Sequence, residues 1–73
     1  MSKLPTISGR ECVKALEQVG FYVSRQRRSH IIVRRDSPPI TLVVPDHKEL
    51  DRGTLRAVIR QAGLTIDEFV DLL

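Results

Sequence analysis

Apolar residues recur with two different periods along this chain, and the switches between them divide it. Cys12, Val13, Leu16 and Val19 fall on one helical face. Just before them, Ser8-Gly9-Arg10-Glu11 has the form of a capping box, with Ser8 as N-cap and Glu11 reaching back to its amide. Gly20 supplies the stop, so the pattern predicts a helix over about Ser8–Val19. Three short runs rich in β-branched residues then read as strands, at about Phe21–Gln26, His30–Arg35 and Ile40–Val44. Ser37-Pro38-Pro39 separates the second from the third, and Pro45 ends the third. Helical spacing returns with Leu55, Val58, Ile59 and Ala62, between a capping Asp51 and a terminating Gly63. A last short helix opens on a second capping box, Thr65-Ile66-Asp67-Glu68, and carries Phe69, Val70 and Leu73.

Helix, three antiparallel strands, helix and short C-terminal helix predict a two-layer α+β fold with the helices on one sheet face. The other face, or its rim, is left free for a ligand. Residues 1–73 are too few for two cores, so one domain is expected. A domain of this size buries only about 60% of its unfolded surface, which leaves little apolar area for a deep cavity. A shallow surface site suits a polymer better than a small metabolite. Phe21 is expected in the core, and Tyr22 alone is too little for a base-stacking platform.

Charge sharpens that picture. The formal net charge is only +3, but five arginines fall between Arg25 and Arg35 while Asp67, Glu68 and Asp71 gather near the C-terminus. One basic stripe on a chain of pI about 9.6 is the footprint of a polyanion binder, with a solvated face as the bland alternative. No basic amphipathic helix carries these charges and no run approaches the ~20 apolar residues of a membrane span, so no membrane partner is expected. The single Cys12 fits a reducing compartment. Met1-Ser2-Lys3-Leu4-Pro5 lacks the apolar run of a signal peptide, and the expected location is the cytoplasm.

Candidate chemistry centres on Arg25-Gln26-Arg27-Arg28-Ser29-His30, where an imidazole stands among guanidinium groups at the head of a strand. Histidine is the side chain best suited to moving protons near neutral pH, and arginines can hold a phosphodiester. His30 could take a proton from an RNA 2′-hydroxyl while Arg25, Arg27, Arg28 and Arg34 contact phosphate. Equally, the segment could be a basic RNA-binding loop in which His30 only hydrogen-bonds. Adjacent strand residues point to opposite faces, which argues against a Ser29–His30 nucleophilic dyad. Cys12, His30 and His47 show no recognised ligand spacing, and there is no Gly-rich phosphate loop, so neither metal nor cofactor is expected. Strand periodicity leaves open which sheet face His30 occupies, because a one-residue slip reverses it.

Taken in order, several segments resemble one family. They are the opening helix ending in Gly20-Phe21, Arg25-Gln26…Ser29-His30, Val43-Val44-Pro45-Asp46-His47, and Gly53-Thr54-Leu55-Arg56…Ile59-Arg60-Gln61-Ala62-Gly63-Leu64. The chain resembles the HicA-type toxins, small bacterial mRNA interferases with a double-stranded-RNA-binding-domain-like fold. That resemblance implies a single HicA-like toxin domain, a catalytic histidine at His30, mRNA as substrate, and a HicB-type antitoxin that blocks the active site. One departure stands out. The family has glycine before the Ser-His pair and this chain has Arg28, where a left-handed backbone costs about 1–2 kcal/mol, so a differently shaped turn is expected. The alternative is a non-catalytic double-stranded-RNA-binding module. A third reading, docking of an acidic protein on the basic patch, predicts no salt-sensitive RNA binding.

Overall fold

The computed structural model describes residues 3–73; Met1 and Ser2, which open the segment read above for a leader, lie outside the described residues. Six elements follow in the order α1 (Gly9–Glu17), β1 (Tyr22–Arg27), β2 (His30–Asp36), β3 (Pro39–Pro45), α2 (Arg52–Gln61) and α3 (Ile66–Val70). The strands form one open antiparallel sheet in the order β1-β2-β3. This is the α+β arrangement that the apolar periods predict.

Local chemistry accounts for the boundaries. Ser8 Oγ accepts from the Glu11 amide at 3.0 Å while Glu11 returns the bond to the Ser8 amide at 2.9 Å. Thr65 and Glu68 repeat this reciprocal pair at α3, and Asp51 Oδ2 caps α2 through the Thr54 amide at 3.2 Å. Helix α1 ends at Glu17 rather than Val19, and Gly20 then takes a φ of 94° to turn the chain into the sheet. The two-residue link Ser37-Pro38, with a cis bond between them, is shorter than expected, so β3 begins at Pro39.

Burial alternates along β2 and β3. Ile31, Val33, Leu42 and Val44 point to the helices and are essentially inaccessible. They form one apolar cluster with Leu16 of α1, Leu55 and Ile59 of α2, and Phe69 of α3. Phe21 joins it as expected, and no polar side chain is buried among the described residues. Fully burying side chains of this size contributes roughly 1.5–3 kcal/mol each, which makes the helix-facing side of the sheet the stable platform of the fold. Cys12 lies inside this layer, where burial pushes its thiol up to about 12 and removes its nucleophilic form.

The two layers also meet backbone to backbone. A Cβ on Gly9 would lie 1.9 Å from the Pro45 carbonyl oxygen, and the Gly9 amide donates to the His47 carbonyl at 2.9 Å. Only glycine lets the start of α1 rest on the end of β3 this closely. The segment after β3 is tied at two further points, Asp46 N–H to the Ser29 carbonyl at 2.7 Å and Leu50 N–H to the Ile7 carbonyl at 2.8 Å. No helix among the described residues is long and apolar enough to cross a membrane.

Candidate functional site

With one face of the sheet committed to the helices, the alternate residues form an open face. Directly paired residues of an antiparallel sheet share a side, so the register defines this face in rows. Arg27, His30 and Pro45 make the first row, Arg25, Ile32 and Val43 the second, and Tyr22, Arg34 and Thr41 the third. His30 therefore stands on the solvent face, which the sequence period alone left undecided.

A bulge between Val23 and Arg25 makes these rows possible. Strict alternation would send Tyr22 to the side opposite Arg25 and Arg27. The extra residue, Ser24, lets Val23 pair with Val33 on the helix side while Tyr22, Arg25 and Arg27 all reach the open face. Below them lies a shallow cavity of about 520 Å³, lined by Arg25, Arg27, Arg28, His30, Ile32 and Val43. Four of the five residues singled out in the sequence thus meet in one basin, and Arg34 stands one row beyond it. The fifth arginine of the stripe goes elsewhere. Arg35 turns to the helix side, with its guanidinium 4.7 Å from the Phe21 ring centroid and a 3.5 Å hydrogen bond to the Val19 carbonyl.

The hairpin that presents His30 has only two loop residues, Arg28 and Ser29. Tight hairpins of this kind need positive φ in the loop, and Arg28 supplies it at 55°. Arginine therefore does not evade the left-handed conformation that glycine would adopt freely; it accepts it. Replacing Arg28 by glycine removes a penalty of about 1–2 kcal/mol but adds freedom to the unfolded chain, worth about 0.4–1 kcal/mol. The expected outcome is a net gain of roughly 0.5–1 kcal/mol, read as a higher urea midpoint at unchanged slope.

Asp46 holds the turn in place. Its carboxylate accepts two hydrogen bonds from Arg10, at 3.1 and 3.0 Å, and a third from Gln26 Nε2 at 3.0 Å. Gln26 also donates weakly to the Arg28 carbonyl. Helix α1, strand β1 and the loop carrying His30 are thereby joined at one acid. The Arg10 hydrogen bonds hold the Asp46 carboxyl below its ordinary range; partial burial opposes them and Gln26 adds to the lowering. A depressed carboxylate stabilises the fold above its unfolded pKa and loses that contribution as pH falls through the folded one. As pH falls below the ordinary aspartate pKa of about 3.9, denaturation midpoints of the wild type should therefore fall more steeply than those of Asp46→Asn. Equal slopes would mean the tie contributes nothing measurable.

At the far end of the face, the Tyr22 hydroxyl donates to Asp36 Oδ1 at 2.8 Å, which raises the phenol above its ordinary range. The sequence reading set Tyr22 aside as too little for a stacking platform, and it missed Ile32 and Val43. The period-two pattern places Ile32 beside His30, but nothing in it signals the bulge that turns Tyr22 to the same side. Asp46 serves as the carboxylate tie, and His47, weighed as a metal ligand, receives the Gly9 amide on its carbonyl. Among the described residues, no three His, Cys, Asp or Glu side chains converge as a metal site would require.

Comparison with curated proteins gave no match. The family model described as the HicA toxin of bacterial toxin–antitoxin systems matches residues 9–64, from the first residue of α1 to just beyond α2. That span contains the whole sheet, the bulge, the arginine-rich hairpin and the Asp46 tie. On this match the chain belongs to the HicA toxin family.

Proposed function

We propose that this toxin is a metal-independent endoribonuclease of the cytoplasm that cleaves mRNA at the open face of its sheet, with His30 as proton carrier. Membership in the family gives the coarser role, the toxin of a toxin–antitoxin pairing with an antitoxin as protein partner. The observation that carries the finer reading is the first row of the open face. His30 is the direct cross-strand partner of Arg27 and shares one basin with Arg25 and Arg28, so a base and several cations face the same solvent volume.

The chemistry follows from that placement. The neutral imidazole of His30 accepts the proton of an RNA 2′-hydroxyl. The 2′-oxygen attacks phosphorus in line, the bond from phosphorus to the 5′-oxygen breaks, and the leaving oxygen takes a proton from solvent. Arg25, Arg27 and Arg28 offset the negative charge that builds on the phosphate in the transition state. Arg34 supplies a further phosphate contact one row away. The partner is a HicB-type antitoxin that occludes this face. A two-proton mechanism with a dedicated acid would be faster; His30 acting with arginines gives slow cleavage.

Purified protein incubated with single-stranded RNA and excess chelator should yield fragments with 2′,3′-cyclic phosphate and 5′-hydroxyl ends. Arg28→Gly should cleave less well although it is more stable, because it removes a basin cation. Products with 5′-phosphate ends, or cleavage that stops with chelator, would replace this mechanism with a metal-assisted one. Salt-sensitive RNA binding without any cleavage would point to the non-catalytic binding module instead.

A further inference from the structure

Two apolar features on the open face have no part in acid–base chemistry. Val43 is 48% exposed and Tyr22 42%, and they sit in the second and third rows beside Ile32 and Arg34. Exposed apolar groups beside a cationic basin gain nothing from phosphate. A duplex offers such a surface phosphates, 2′-hydroxyls and base edges, whereas an unpaired base offers a flat π face. The Tyr22 hydroxyl bond to Asp36 also limits the positions its ring takes.

Row spacing sets how bases would lie on this face. Successive rows are two residues apart along β2, about 6.7 Å at the usual strand rise. Stacked nucleotides rise about 3.4 Å each, so bases lying on consecutive rows are splayed to roughly twice the stacked distance. A paired strand cannot do this without melting. The bulge that brings Tyr22 to this face aligns its ring with the rows of His30 and Ile32.

We propose that the open face is a track for unpaired RNA, with a phosphate at Arg27 and His30, one base on Ile32 and Val43, and the next on Tyr22 beside Arg34. The track rests on the reading of His30 as the cleavage centre, and it adds that the substrate is single-stranded and is gripped for two nucleotides to one side of the cut. Tyr22 is a positioning residue in this scheme.

Binding can be measured apart from cleavage with a fluorescent single-stranded RNA of about eight nucleotides whose 2′-O-methyl riboses block in-line attack. At fixed salt, Tyr22→Ala should weaken binding about tenfold, while Tyr22→Phe, which keeps the ring, stays within about threefold of wild type. Val43→Ser on the opposite edge strand should weaken it about threefold, and it carries the test should Tyr22→Ala unfold. The same sequence in a duplex should bind about tenfold more weakly. Wild-type affinity in Tyr22→Ala or in Val43→Ser, or equal affinity for the duplex, would overturn the track. The reading of His30 as the cleavage centre fails separately, if His30→Ala cleaves unmodified RNA at the wild-type rate.

Discussion

His30→Ala should lower the rate of RNA cleavage by about 10²–10⁴, the usual contribution of a positioned acid–base group, and abolish toxicity on induced expression. The loss should fall on the chemical step. His30 is an exposed residue at the first position of β2, so its removal should change stability by no more than about 0.5 kcal/mol. The arginines of the basin remain, and affinity for uncleavable RNA should stay within a few-fold of wild type. Arg25→Ala and Arg27→Ala should show the opposite split, weaker binding with a shallower salt dependence. The slope should fall by about 0.7 for each phosphate of a single strand that is no longer neutralised. Single-turnover cleavage, anisotropy titration and mapping of new RNA 5′ ends in expressing cells measure these quantities together. Unaltered cleavage by His30→Ala would remove the histidine from the mechanism. Equal reductions of binding and rate would make it an RNA-binding residue rather than a proton carrier.

The fold was legible in the sequence wherever it rests on short-range chemistry. Both capping boxes, the Asp51 cap and the glycine stops depend on residues no more than a few positions apart. The gathering of Arg25, Arg27, Arg28 and His30 followed for the same reason, since one tight hairpin contains them all. Longer-range features left little trace. The bulge at Val23–Arg25 inserts Ser24, an ordinary strand residue, and only pairing with β2 reveals it. The face of His30 depends on which side the helices cover, a tertiary choice that local periodicity cannot encode. The three-way tie at Asp46 joins residues 36 and 20 positions apart. Arg28 shows tertiary context overriding local preference. Its left-handed backbone is held by Arg27–His30 pairing on one side and the Asp46–Ser29 hydrogen bond on the other.

Gly9→Ala should be the most damaging small substitution in the chain. Glycine early in a helix is ordinarily improved by alanine, by up to about 1 kcal/mol. Here the added carbon would meet the Pro45 oxygen at 1.9 Å and the Pro45 carbonyl carbon at 3.0 Å. Both are backbone atoms, so no rotamer change relieves the overlap; α1 must lift from β3 or the end of β3 must move. Overpacking of this kind costs typically 1–3 kcal/mol, and a chain this small has only about 4–11 kcal/mol of stability to lose. At about 4–8 °C per kcal/mol, the melting temperature should fall by roughly 10–20 °C. Gly53→Ala provides the contrast, since its new carbon would meet only the movable Asp51 carboxylate at 3.3 Å, and it should shift stability by no more than about 0.5 kcal/mol. The damage should also reach the site. Pro45 is the cross-strand partner of His30, and the Gly9–His47 hydrogen bond adjoins the Asp46 tie that holds the hairpin. Gly9→Ala should therefore lose cleavage beyond the fraction unfolded, measured at a temperature where calorimetry shows the variant still folded. Full activity there would show that α1 yields alone and that the sheet holds His30 without it.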